Sequence, residues 1–302
     1  MKKINVFATV LLLSSIQVYS QISGSESDTT GTTVGEGRYF PDPSVPDRPW
    51  VAEVIPTKRV IAHPYLREAD VMWAKRIWQV IDLREKMNHP LYFPIERIAD
   101  RKSLFDCIKD ALLVEGSISA YGLGPTGDND EFVYQLSQTE LDSLLNPIQY
   151  ETVLILETGE PDIVPVNKPV ESISITQYQI KEDWLFDKQR SERYVRIIGI
   201  CPMMEDYDDN GLKRGMKPLF WIYFPELRYV LANQAAFNRS NDAQRMTFDE
   251  LFEKRMFSSF VVKEANVYNR YISDYARNID ALIESEEIKN DLFIMEHDLW
   301  QY

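Results

Sequence analysis

Glu68–Pro94 reads EADVMWAKRIWQVIDLREKMNHPLYFP, and the fold turns on what this stretch becomes. At about 100° per residue, Trp73, Ala74, Ile77, Trp78, Val80, Ile81 and Met87 share one broad sector. Lys75, Gln79, Asp82 and Lys86 take the opposite side, with Asp82 one turn from Lys86. The pattern predicts an amphipathic helix from Ala69 of about five turns. Asn88, His89 and Pro90 should end it, because the residue before a proline is pushed out of the helical region. Two tryptophans on one face would anchor the main core. Arg84 and Glu85 lie in or beside the apolar sector, so the last turn should meet another polar surface.

Downstream, Ser103 is placed to cap a helix, SLFDCIKDALLVEG, that stops at Gly116. Short strands are expected at 117–121 and 131–136, and a helix capped by Ser137 or Thr139 through Leu145. Further strands are expected at 151–157 and 172–180, separated by a proline-rich loop at 158–171. RYVRIIGICPM (193–203) and KPLFWIYF (217–224) are rich in branched and aromatic residues and should pair as a long hairpin. Thr247 and Glu250 form a capping box for FDELFEKRMF. Two or three helical stretches follow Ala265. The fold class expected is α+β: a mixed or mainly antiparallel sheet with packed helices and an N-terminal proline-rich extended arm. One domain is expected over 65–302, with 158–171 as a possible seam.

Upstream, residues 1–20 have the form of a secretory signal peptide: Lys2 and Lys3, an apolar run from Ile4 to Leu13, and small-residue spacing before a cleavage near Ser20–Gln21. The run is too short to span a bilayer, and no cysteine stands at the cleavage site for lipidation. Residues 21–37 are small and polar and should form a flexible linker. Residues 38–64 carry prolines at 41, 43, 46, 49, 56 and 64 among Tyr39, Phe40 and Trp50, with Tyr65 beyond. This reads as a stiffened arm lying on its own domain or on a neighbour. Tyr39, Phe40, Trp50, Tyr65, Arg84 and Glu85 are the interface candidates.

A hydrophobic fraction of 44% supports a real core. The formal charge of −14, more negative still once Lys2 and Lys3 are removed, argues against nucleic acid and anionic lipid as partners and against direct membrane insertion. Cys107 and Cys201 are the only cysteines, and their count leaves a disulfide and two buried thiols equally open. Gly122–Gly127 has the letters of a dinucleotide loop, but acidic residues and not a helix N-terminus follow, so a surface turn is expected. Asp206, Asp208 and Asn210 before Gly211 match the first half of a calcium loop. Its twelfth position is Lys217 where a bidentate glutamate is needed, so a hairpin tip is expected. The three histidines stand alone. No catalytic, cofactor or metal residue is nominated.

The stretch WAKRIWQVIDLREKMNHPLYFP (73–94) resembles the GldN/PorN family of Bacteroidetes gliding-motility and type IX secretion proteins. So do PLFWIYFPELR (218–228), FNRSND (237–242) and KEANVYNRYI (263–272). The resemblance implies a non-catalytic periplasmic scaffold at the inner face of the outer membrane. It implies assembly with an outer-membrane lipoprotein of the GldK/PorK type into a ring, and contact with the inner-membrane motor protein of the GldM/PorM type. The alternatives are an exported hydrolase working through paired carboxylates and a calcium-dependent adhesion module.

Overall fold

The computed structural model describes residues 58–98, 101–125, 127, 129–154, 161–208, 211–238, 241 and 244–298. The described residues all belong to one compact unit, Lys58–Tyr302. The signal peptide, the linker and arm residues Tyr39, Phe40 and Trp50 lie outside the described residues.

The expected helix is a strand. β1 (Val71–Asp82) runs through the interior of a seven-stranded sheet, paired antiparallel with two neighbours. Trp73, Ile77 and Ile81 are four residues apart, a spacing that fits one helical face and equally one strand face, since four is twice the strand period. The first half of β1 shows period two, with Val71, Trp73 and Lys75 turned inward between exposed Met72, Ala74 and Arg76. From Ile77 to Ile81 every residue is buried, because both sheet faces are covered there. Branched and aromatic side chains with two flanking strands outweigh helical spacing. A turn follows, then a short helix, α1 (His89–Tyr92).

Ser103 caps α2 (Leu104–Asp110), accepting from the Asp106 N–H. The helix runs on as a wider turn to Glu115 and stops at Gly116, whose φ of +59° is left-handed. After β2 (Ala120–Tyr121), the expected strand at 131–136 is reduced to a single bridge between Tyr121 and Gln135. Phe132, at φ +57°, breaks the extended chain. α3 (Gln138–Leu145) carries the Ser137–Glu140 capping box. β3 (Ile148–Leu154) pairs with β4 (Pro161–Asn167), so half of the expected loop is a strand. Its prolines are tolerated because each strand of a two-stranded ribbon is an edge.

β5 (Ile175–Asp187) and β6 (Glu192–Tyr207) are long central strands. β6 then pairs with β7 (Lys213–Pro218) and β8 (Trp221–Tyr223), the hairpin anticipated from the sequence. α4 (Phe224–Leu231), β9 (Ala235–Ala236), β10 (Met246–Thr247) and α5 (Phe248–Glu253, with its Thr247–Glu250 capping box) lead to β11 (Phe260–Glu264). Beyond it lies one long helix, α6 (Ile279–Asp298). The sheet order is β11-β1-β5-β6-β8-β2, with β7 beside β6. The fold is α+β with a mainly antiparallel sheet.

Strand alternation divides the core. On one face, Ile81, Tyr178, Ile180, Ile200 and Ile222 meet Phe105 and Ile108 of α2, Leu227 and Leu231 of α4, and Phe248 and Phe252 of α5. Towards the start of β1 that face carries Ile77 and Trp73 against Ile288 and Leu292 of α6. The other face carries Trp78, Cys201 and Trp221, covered by Leu123 and Phe132 of the 122–136 loop. Gly199 permits this cover, because a Cβ there would meet the Phe132 ring at 2.6 Å.

Candidate interaction surfaces

The turn after β1 holds Arg84, which pairs with Glu205 of β6. Lys213 donates to the same carboxylate at 2.6 Å, and the Tyr207 hydroxyl donates to its other oxygen. Those hydrogen bonds from Lys213 and Tyr207 hold Glu205 down to about 2. Glu85 is exposed, and its N–H closes the turn on the Asp82 carbonyl at 3.3 Å. Tyr65 is 81% exposed, and its neighbour Pro64 accepts from Arg196 of β6 at 2.6 Å. Arg196 and Glu205 are nine residues apart on one strand, roughly 30 Å at strand rise. Tyr65 and the Arg84–Glu85 turn therefore belong to separate surfaces. The end of the arm lies on its own domain: Lys58 pairs with Glu250 at 2.8 Å and His63 with Glu253 at 3.4 Å.

Several buried polar groups of the sheet are matched, although the Arg196 Nε is buried without a hydrogen bond. Glu182 is fully buried and accepts from Arg255 at 2.7 Å, Gln79 at 3.2 Å and Trp184 at 3.1 Å. On the second face, Trp78 donates to Asp130 at 2.5 Å, and the Lys181 ammonium reaches the Asp130 carbonyl at 2.8 Å. Burial lowers the Lys181 pKa, and Asp130 opposes that. Arg228 and Asp249 form a buried pair at 2.7 Å between α4 and α5. These are the fixed contacts of a framework. Cys107 and Cys201 are free thiols, one in each of two core clusters on opposite sides of the sheet, and burial pushes both up to about 12.

Gly122–Gly127 is a turn, its second and third glycines at φ +66° and +77°, and no helix starts from it. Asp208 and Gly211 close the β6–β7 tip, with the Gly211 N–H on the Asp208 carbonyl at 2.8 Å. Asp209 and Asn210 lie outside the described residues. Among the described residues, no group of three or more His, Cys, Asp or Glu is arranged to hold a metal ion. No helix among them is long and apolar enough to cross a membrane.

Two features that the sequence reading passed over carry exposed apolar surface. α6 is strapped along the outer edge of β11: the Ser285 hydroxyl accepts from the Val261 N–H at 2.9 Å, and Lys289 donates to the Ser259 carbonyl at 2.9 Å. Ser285, Ile288 and Leu292 face the sheet. At 100° per residue, Ile279, Ile283 and Ile294 fall on the opposite side, with Leu282 and Phe293 on its flank. They are between 44% and 71% exposed. The signal was present in the sequence, because the apolar residues of α6 go round the helix where a one-sided helix would show a single stripe. The second feature is a groove of about 270 Å³ between the segment after α1 and the β9–β10 region. Phe93, Ile98, Phe237, Arg101, Lys102 and Arg245 are among the residues that line it. The Arg101 guanidinium lies over the Phe237 ring, 5.4 Å from its centroid.

Fold and surface together define an α+β framework domain with Glu182 and the Arg228–Asp249 pair matched inside and with apolar groups turned outward on one helix and in one groove. The family model of the gliding motility associated protein GldN matches residues 66–301, and the chain belongs to that family. It is a component of the gliding-motility and type IX secretion apparatus. Comparison with curated proteins gave no match.

Proposed function

We propose that this chain is a non-catalytic scaffold subunit of that apparatus, working in the periplasm. In this reading it assembles with an outer-membrane lipoprotein of the GldK/PorK type into a ring and touches the inner-membrane motor protein of the GldM/PorM type. The observation that carries the reading is the outer face of α6. Single exposed apolar residues are ordinary, but α6 exposes two apolar groups, Ile279, Leu282 and Ile283 near its start and Phe293 and Ile294 near its end, and such clustering favours a protein contact. The matched groups inside the domain support it, since a framework subunit needs rigidity more than reactive groups. A two-acid hydrolase needs facing carboxylates, whereas cations are among the residues lining the groove described above. Arm residues Tyr39, Phe40 and Trp50 belong to the same proposal, as a stiff segment that loses little entropy on a partner.

The test is to express the chain with its lipoprotein partner, solubilise the outer membrane and measure the mass of the complex by light scattering. A large, regular assembly containing both is expected. A chain that stays monomeric and unbound beside the lipoprotein would overturn the proposal.

A further inference from the structure

We infer that the outer face of α6 docks into the Phe93–Phe237 groove of a neighbouring copy, giving a head-to-tail contact. The inference rests on the scaffold reading and names the surfaces by which copies of this chain meet. Both surfaces belong to this chain. α6 presents Leu282, Ile283, Phe293 and Ile294 among Glu286, Glu287 and Asp291. The groove's lining includes Phe93, Ile98 and Phe237 together with Arg101 and Lys102.

Charge selects the occupant. An α6 face laid against the same face of another copy would bring carboxylates together, because Lys289 is the only lysine or arginine between Ile279 and Asp298. The groove is a basic site on a chain whose formal charge is −14, and its lining contains no carboxylate among the described residues. Lys102 is half engaged already, sharing Asp110 with Arg97. Arg101 has its guanidinium stacked on Phe237, where it would meet an incoming acidic side chain. Size agrees as well. A cavity of about 270 Å³ is just below the roughly 300–1,000 Å³ typical of ligand sites, and suits one or two large side chains such as Phe293 and Ile294. The two surfaces are different patches of the same chain, so the contact is heterologous and propagates from copy to copy until it closes or runs on as a filament.

Two surface variants test it: Phe293→Asp on α6, and Phe237→Asp with Arg101→Glu at the groove. Wild type is expected to assemble, and each variant alone to stay monomeric. An equimolar mixture of the two should form heterodimers and stop there, since one intact helix meets one intact groove. Thermal melting like that of wild type certifies that each variant is folded. As an independent measurement, Phe293→Cys and Phe237→Cys in one chain should give an oxidation-dependent ladder of covalent oligomers, the native thiols being buried. Variants that assemble as wild type does, or a mixture that stays monomeric, overturn the inference and leave the scaffold reading standing. A wild type that does not self-associate even with the lipoprotein present overturns both. Loss of assembly at high salt, where surface charge is screened, is expected as well.

Discussion

Asn88 distinguishes the strand from the helix that the sequence suggested. As a helix stop it would be dispensable: alanine is the better helix former, and Asn88→Ala would leave stability unchanged or raise it. In the structure Asn88 is fully buried and ties the end of β1 to the lead-in of β11. Its side-chain amide donates to the Asp82 carbonyl at 2.7 Å and the Ser258 carbonyl at 2.9 Å, and its oxygen accepts from the Ser258 N–H at 2.8 Å. Asn88→Ala removes all three bonds. Each contributes about 0.5–1.5 kcal/mol, and stranding the Ser258 N–H adds a share of the roughly 1–3 kcal/mol desolvation penalty. The expected loss is about 2–5 kcal/mol, a large part of the roughly 5–15 kcal/mol available to a domain. Asn88→Asp should fare no better, since it keeps the acceptor but sets a carboxylate against two carbonyls. Urea unfolding followed by tryptophan fluorescence measures the loss as a fall in midpoint at constant slope. An alanine variant within about 0.5 kcal/mol of wild type, the spread of ordinary surface substitutions, would refute the clamp.

Three other outcomes follow from the interior and the β6–β7 surface. Gly199→Ala should destabilise by about 1–3 kcal/mol by overpacking, because its Cβ would sit 2.6 Å from the Phe132 ring; Phe132→Leu should cost less in the Gly199→Ala background than in wild type, and additive losses would contradict the contact. Glu205 is held at about 2 from an ordinary 4.5, so its contribution is complete above about pH 4.5 and fades as pH falls towards 2. Wild type should therefore exceed Glu205→Gln in urea midpoint at neutral pH and converge with it on acidification, whereas a gap independent of pH would reject the arrangement. Burial holds the Cys107 and Cys201 thiols protonated, so a thiol reagent at about pH 8 should label neither in the native protein and both in urea; finding no thiol in the unfolded chain would mean a disulfide.

Capping chemistry was the most legible part of the sequence. Ser103, the Ser137–Glu140 box and the Thr247–Glu250 box all start helices where they were expected, because a cap is decided by a few neighbouring residues. The 193–224 hairpin was legible for the same reason, its strands being branched and aromatic and its tip rich in Asp, Asn and Gly. The 73–81 stretch was not, since spacing of four residues serves both periods and only the flanking strands decide between them. β4 was hidden by its prolines, which rule out a central strand but not one in a two-stranded ribbon. Of the interface candidates, Arg84 pairs with Glu205 while its side chain stays exposed, a contact that no reading of its own segment could reveal, because Glu205 is remote in sequence.

The edge of the sheet explains why the exposed apolar surface sits where it does. β11 pairs with β1 on one side, and its other side would offer backbone groups for another strand to join. α6 occupies that side, with Ser285 and Lys289 bonded to the β11 segment, so strand addition is blocked there. A helix laid along an edge has only one side to give to its own core, and the apolar residues on the other side remain unused within the chain. Such residues lower solubility and add nothing to the stability of a monomer, and the assembly proposed above would cover them. Blocking the edge and presenting a helix face replaces a backbone contact, which any extended chain can make, with a side-chain contact that depends on shape and charge.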